Sequence, residues 1–236
     1  MKAWAVSDLH LSFAKPDRRD RFGARWADHV AKIEAGWRAV VRREDLVLLP
    51  GDISMARNHR ELQPDFRWLE GLPGRKVLSP GNHDGWWNSL ARIRPLLRPS
   101  MRAVDGTAER VGDVIVAGAR SMAVPRTDDP DAPPDLAAVE RALAGVDAAL
   151  AAADTLRGDA DLPLLFLWHF PPFDAYGRPG PWVERFEAHR VTACLYGHLH
   201  MQGQWANAVQ GLHGNVRYQC VSADAVGFQP IRVSGI

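Results

Sequence analysis

Short apolar runs recur along the chain, and several of them end directly in a polar or glycine-rich motif. Continuous apolar runs of this length are typical of strands buried on both faces of a sheet. In open α/β sheets, ligands tend to bind where such strands end. The pattern therefore predicts an α/β fold with its functional residues at strand ends. The predicted strands are residues 2–7, 46–50, 75–79, 114–119, 162–168, 191–196 and 218–221.

Two stretches have apolar residues at the spacing of one helical face, and both stripes are interpreted as packing against the core. The first stripe comprises Trp26, Val30, Ile33, Trp37 and Val40, and the second Leu136, Val139, Leu143, Val146 and Leu150. We find no repeat, no low-complexity tail and no linker. The sequence therefore predicts a single domain over residues 1–236.

The charge balance gives no indication of a nucleic-acid or membrane partner, because 29 basic and 28 acidic side chains nearly cancel. The two cysteines, Cys194 and Cys220, form no CxxC pair and are interpreted as buried thiols. The first apolar stretch ends at Asp8, too early for a signal peptide, and no run is long enough to span a membrane. We expect a cytoplasmic protein; its oligomeric state stays open.

Most of the polar chemistry falls into five compact motifs. Asp8 and His10 are two residues apart at a predicted strand end, and His198 and His200 share that spacing. Side chains alternate along a strand, so each pair is expected to project to one side. Asp52 and Asn82 each follow a glycine that ends a predicted strand, and glycine permits a tight turn there. In order, the motifs are Asp8-Leu9-His10, Gly51-Asp52, Gly81-Asn82-His83-Asp84, His169 and Gly197-His198-Leu199-His200.

These residue types together predict metal binding. Imidazole, carboxylate and amide oxygen suit manganese, iron or zinc. Structural zinc would favour a cysteine-rich cluster, and the sequence has none. The candidate ligands are too many for one ion, whereas two ions about 3.5–4 Å apart would use them all and could share a carboxylate.

The order D-x-H, G-D, G-N-H-D, H, G-H-x-H resembles the calcineurin-like metallophosphoesterase superfamily, and the motifs span most of the chain. The resemblance implies a four-layer sandwich, with two mixed β-sheets face to face and helices outside. It also implies two metal ions, with Asp52 bridging them. The first ion would be held by Asp8, His10 and His200, and the second by Asn82, His169 and His198.

The resemblance further implies a mechanism in which a metal-bridging hydroxide attacks the phosphorus in line with the leaving oxygen. His83 would donate to a phosphoryl oxygen and could protonate the leaving alkoxide. Asp84 would hold the His83 imidazole in place and keep it basic. No covalent enzyme intermediate is needed, so the configuration at phosphorus should invert.

Several other residues have two open interpretations. Trp86 and Trp87 could stack on a substrate ring, although packing is the more ordinary role of large aromatics. Asp224 could support a ligand or cap a turn. Possible phosphate contacts, each otherwise a surface charge, are Arg57, Arg120 and Arg126. Possible specificity residues in the loop after His169 are Tyr176 and Trp182.

The sequence favours a small-molecule phosphodiester or phosphomonoester as substrate. A nuclease or a protein phosphatase of the same superfamily is an alternative, as is a scaffold that kept the fold and lost the chemistry. All seven ligand positions and His83 are present, which favours an enzyme.

Overall fold

The computed structural model describes residues 1–16, 23–125 and 134–236. The strands in these ranges are β1 Ala3–Ala5, β2 Leu46–Pro50, β3 Arg75–Ser79, β4 Met101–Ala103, β5 Thr107–Val111, β6 Val114–Gly118, β7 Leu164–Leu167, β8 Ala193–Tyr196, β9 Gly211–His213, β10 Val216–Cys220 and β11 Ile231–Arg232. The α-helices are α1 His29–Val40, α2 His59–Glu70, α3 Leu90–Ile93, α4 Leu136–Arg157, α5 Val183–Ala188 and α6 Gln202–Ala206.

The strands form two mixed sheets. The first has the order β11-β1-β2-β3-β4, and only β11 is antiparallel to its neighbour. The second has the order β5-β6-β7-β8-β10-β9, in which the central pairs are parallel and the two edge pairs antiparallel. Parallel strands of this kind need both faces covered, and all five residues of β2 are buried.

Three apolar layers hold the two sheets and their helices together. The layer between the sheets includes Leu48 of β2 and Leu165 of β7. On the outer face of the first sheet, Trp37 of α1 belongs to the same hydrophobic cluster as the buried apolar residues of α2. On the outer face of the second sheet, Val146 of α4 and Phe186 of α5 pack together. The predicted four-layer sandwich is therefore confirmed.

The predicted secondary structure differs from the structure in places with a physical reason. The bounds of β2 and β3 match the prediction, whereas the short strands β4, β5, β9 and β11 were not predicted. Strand β5 contains Glu109 and Arg110, so it has no apolar run to detect. Helix α2 contains Pro64, a residue that normally interrupts helices. Leu136 was predicted to face the core, but it begins α4 and is 68% exposed.

The ends of the two sheets are joined where the polar motifs begin. Ser7, just past β1, donates its backbone N–H to the carbonyl of Val221 at 2.8 Å, and its own carbonyl accepts from Ala223 at 3.1 Å. This contact brings the end of β1 in the first sheet against the end of β10 in the second. Among the helices of the described ranges, none is long and apolar enough to cross a membrane.

Candidate metal centre

The motif residues lie just beyond the strands, in backbone that few side chains adopt. Asp8, His10, Asp52 and His198 have φ values of 58°, 42°, 53° and 70°. Aspartate and histidine tolerate this left-handed region better than most residues, and such strain is common at functional sites. Strand alternation was expected to project the two residues of each pair to one side. That reasoning was wrong, because both D-x-H and H-x-H lie outside the strands.

The motif glycines let ligand side chains come close to the backbone. Gly51 turns the chain in left-handed conformation at φ 88°, as predicted. Gly81 and Gly197 have a different role. A Cβ on Gly81 would lie 2.2 Å from Oδ1 of Asp52, and a Cβ on Gly197 would lie 2.2 Å from Oδ2 of Asp8. Any side chain at either position would displace a carboxylate of the centre.

One cluster brings together Asp8, His10, Asp52 and His200, each with a possible ligand atom within 4.8 Å of the others. Nε2 of His10 lies 3.2 Å from Nε2 of His200 and 3.9 Å from Oδ1 of Asp8. Nε2 of His200 lies 3.3 Å from the same carboxylate oxygen. All four side chains are largely or fully buried. This geometry forms a candidate metal-binding site.

A second group of possible ligand atoms adjoins the first. Oδ1 of Asn82 lies 2.9 Å from Nε2 of His169 and 3.0 Å from Nδ1 of His198. Nε2 of His169 also lies 3.4 Å from Oδ2 of Asp52. These three side chains come from the ends of β3, β7 and β8 and converge beside the first cluster.

Asp52 lies between the two groups. Its Oδ1 accepts the backbone N–H of His83 at 2.8 Å. Its Oδ2 is buried, has no hydrogen-bond partner, and lies 3.8 Å from Nε2 of His10 and 3.4 Å from Nε2 of His169. A buried carboxylate oxygen without a hydrogen bond destabilises the folded state unless a cation binds beside it. The residues therefore fit metal binding.

The electrostatics of the cluster also favour cations. Burial disfavours the charged form of His169, but the carboxylate of Asp52 outweighs it and raises the pKa of His169 to about 9. Burial likewise opposes the charge on His200, whose hydrogen bonds with Asp224 and Asp8 raise its pKa to about 10. Protons thus compete with metal ions for these imidazoles, and metal binding should release the protons.

Groups outside the predicted ligand set fix the orientation of the imidazoles. Nδ1 of His169 lies 3.0 Å from the carbonyl of Pro50, and Nδ1 of His200 lies 3.4 Å from Oδ1 of Asp224. Such partners leave the other ring nitrogen to face a metal. Of the two roles considered for Asp224, the contact fits support of a ligand. Nothing in the sequence indicates that Nδ1 of His10 would lie 3.3 Å from Sδ of Met55.

His83 and Asp84 occupy different environments. The side chain of His83 is exposed, and its ring centroid lies 5.4 Å from that of His10. Asp84 is buried, and burial together with the charge of Asp52 raises its pKa to about 7. Within the described residues, the Asp84 carboxylate accepts hydrogen bonds from the N–H groups of Ile53, Ser54 and Gly81 and from the indole of Trp86.

These partners revise the role expected for Asp84. The described hydrogen bonds of its carboxylate include none with the His83 imidazole, because both oxygens face backbone N–H groups. Asp84 ties the loop after β2 to the loop after β3, and these loops carry Asp52 and Asn82.

The remaining candidates divide between packing and exposure. Trp86, Trp87 and Trp182 are buried, which agrees with packing rather than with stacking on a substrate. Arg57 and Arg120 are exposed, and Arg120 donates to the carbonyl of Trp87 at 2.8 Å. Tyr176 is 81% exposed. Arg126 lies outside the described residues.

Comparisons with known proteins concern the family and the fold of the chain. A family model described as calcineurin-like phosphoesterase matches residues 1–202. The Gene 66 protein of Mycobacterium phage D29 is 40% identical over 100 residues, which are 42% of this chain and 45% of the phage protein. The Gene 66 protein of Mycobacterium phage L5 is 33% identical over 82 residues, 35% of this chain and 39% of that protein. The chain thus spans less than half the length of the curated relatives it matches.

A solved structure has the same fold over the whole chain. Phosphopantetheinyl hydrolase (PptH) from Mycobacterium tuberculosis superposes with a TM-score of 0.58 at 16% sequence identity, covering 100% of this chain and 96% of that one. At this identity the likeness concerns the fold alone.

Proposed function

The chain belongs to the calcineurin-like phosphoesterase family, and we propose that it hydrolyses a phosphate ester of a small molecule with two metal ions bound side by side. Nitrogen and oxygen donors of this kind suit manganese, iron or zinc. Asp52 would contact both ions. The first ion would be held by Asp8, His10 and His200, and the second by Asn82, His169 and His198.

The observation that carries the proposal is the position of Asp52. Its unpartnered Oδ2 lies between His10 of one ligand group and His169 of the other. One cation beside the first group would leave the second group without a role. A carboxylate shared by two ions uses both groups, and it gives the buried oxygen that lacks a hydrogen bond a cation on each side.

When bound, two such ions supply positive charge for phosphoryl oxygens and make hydroxide available near neutral pH. The chain supplies an acid. His83 is exposed beside the centre, and its backbone N–H is held by Asp52 at 2.8 Å. Its imidazole can therefore donate to a phosphoryl oxygen and protonate a leaving alkoxide.

The alternatives within the family differ in substrate rather than in ligands. A nuclease would be expected to have a basic surface, whereas the formal charge of this chain is only +1. A non-catalytic scaffold would be expected to have lost ligands or the motif histidine. All of these residues are present here, so we favour a hydrolase acting on a small diester or monoester.

Hydrolysis assays test the proposal directly. Metal-free protein is supplied in turn with manganese, iron and zinc and assayed with bis-p-nitrophenyl phosphate and p-nitrophenyl phosphate. At least one metal should restore turnover, and the better substrate identifies a diesterase or a monoesterase. A phosphopantetheinyl ester joins the panel, because the structural neighbour is called a phosphopantetheinyl hydrolase.

Matched variants show whether turnover comes from this centre. Asp52→Asn should abolish it, whereas Asp113→Asn, an exposed aspartate in the turn between β5 and β6, should leave it unchanged. Metal binding without hydrolysis of any ester would favour the non-catalytic scaffold instead.

A further inference from the structure

A cavity of about 300 Å³ lies between the loop after β7 and the segment after β8. This volume is at the small end of the range for ligand pockets, so it suits one compact group rather than a whole large ligand. The apolar part of its wall includes Pro171, Pro172, Phe173, Leu199, Ala208 and Val209.

Residues of the cavity wall lie next to proposed ligands in the chain, while the wall itself includes none of those ligands. Leu199 lies between His198 and His200 in the chain, and Pro171 follows His169 by two residues. Consecutive Cα atoms are about 3.8 Å apart, so the wall begins within one or two residue steps of three proposed ligands. A substrate with its phosphate at the centre could extend a neighbouring group into the cavity.

Two polar side chains at the wall, Asp174 and Gln204, already accept hydrogen bonds. Oδ1 of Asp174 accepts the backbone N–H groups of Tyr176 and Arg178 at 2.8 Å each. Oε1 of Gln204 accepts the backbone N–H of His200 at 3.3 Å. A ligand rich in hydroxyl or charged groups would find these acceptors occupied and would lose its own hydration. The cavity therefore favours an apolar group.

Exposed apolar side chains are sequence neighbours of the wall residues. Tyr176 is 81% exposed on the loop after β7, and Met201 is 62% exposed at the start of α6. Tyr176 follows Ala175 of the wall, and Met201 lies between Leu199 and Gly203 of the wall. Resting on the proposed function, we propose that this cavity binds an apolar group, such as a short alkyl chain, that is esterified to the same phosphate.

A series of alkyl p-nitrophenyl phosphate diesters tests the proposal, because all members release the same leaving group. From the methyl to the hexyl ester, KM should fall roughly fourfold for each methylene that becomes buried, until the cavity is full. A KM that is the same for methyl and hexyl esters would overturn the inference while the proposed hydrolysis stands.

Two leucine substitutions on α6 give a matched pair. Gly203 lines the cavity, and a Cβ there would have no atom within 4 Å, so the side chain of Gly203→Leu has room where it leaves the backbone and is expected to occupy part of the cavity. Ala206→Leu is exposed on the same helix and outside the cavity wall. The dependence of KM on chain length should disappear in Gly203→Leu and persist in Ala206→Leu. Loss in both variants, or in neither, would contradict the assignment of the cavity.

A binding measurement separates this inference from the proposed function. Calorimetric titration of the metal-loaded protein with methylphosphonate and hexylphosphonate needs no turnover. Tighter binding of hexylphosphonate to the wild-type protein than to Gly203→Leu would support the cavity even if no ester were hydrolysed. Equal binding of the two phosphonates to the wild-type protein would overturn it.

Discussion

Replacing Gly81 by alanine tests how closely the metal centre is packed. The added Cβ would lie 2.2 Å from Oδ1 and 2.3 Å from the backbone nitrogen of Asp52, whereas ordinary contacts begin at 3.4 Å. Because interiors are close-packed, Asp52 or the Gly81 loop must move by about 1 Å. The same movement would strain the 2.9 Å hydrogen bond from the N–H of Gly81 to Asp84.

The size of this displacement sets the expected effect. Metal sites tolerate ligand displacements of about 0.2 Å, and a misplacement of about 1 Å can cost a hundredfold in rate. Gly81→Ala should therefore weaken metal binding and lower kcat by roughly a hundredfold or more, while the four-layer fold persists.

Gly85→Ala is the matched control, because a Cβ on Gly85 would have no atom within 4 Å and the residue lies four positions further along the same loop. Chelator competition measures metal affinity, p-nitrophenyl ester hydrolysis measures kcat, and circular dichroism checks folding. Equal metal affinity and kcat in the two folded variants would refute the argument that Asp52 packs against Gly81 as a ligand.

Three further variants test other parts of the centre and the fold. His83→Ala should keep both metals and lower kcat by roughly 10²–10⁴, most for poor alkoxide leaving groups; loss of metal would make His83 a ligand instead. Asp84→Asn places an amide N–H₂ group opposite N–H donors, so it should reduce metal affinity about tenfold to a hundredfold. A loss of kcat that depends on the leaving group, with metal affinity unchanged, would instead support the role first expected for Asp84, which was to orient the His83 imidazole. Burial lowers the pKa of Lys76 from 10.5 to about 8. The folded state therefore binds fewer protons than the unfolded state between these values, and the free energy of unfolding should rise with pH there. Lys76→Met should remove that rise in urea denaturation, and an unchanged pH profile would contradict the shift.

The sequence predicted the parts of the fold that depend on continuous apolar runs. Strands β2 and β3 have the predicted bounds because each strand is almost entirely buried. Strand β5 was missed because only part of it is buried and its polar residues interrupt the pattern. Helix α2 was missed because Pro64 obscured an amphipathic segment whose N-cap, Asn58, accepts hydrogen bonds from Arg60 and Glu61.

The candidate site was predictable in composition but not in detail. The motifs identified the residues that the fold brings together, because each motif follows a strand whose position is fixed by the sheet. Local backbone geometry was not predictable: the left-handed conformations of Asp8 and His10 depend on contacts with distant segments, such as the carbonyls of Gly51 and Asp52. The partners of Asp84 likewise depend on how two loops pack, which no local pattern indicates.

The number of metal ions per chain tests the central claim most directly. Two ligand groups that share Asp52 predict two ions, because Oδ2 of that carboxylate lies 3.8 Å from Nε2 of His10 in one group and 3.4 Å from Nε2 of His169 in the other. Elemental analysis of protein purified and dialysed with manganese should give two ions per chain in the wild-type protein, and Asp52→Asn should lose occupancy of both sites. A wild-type content that never exceeds one ion per chain would contradict the binuclear centre.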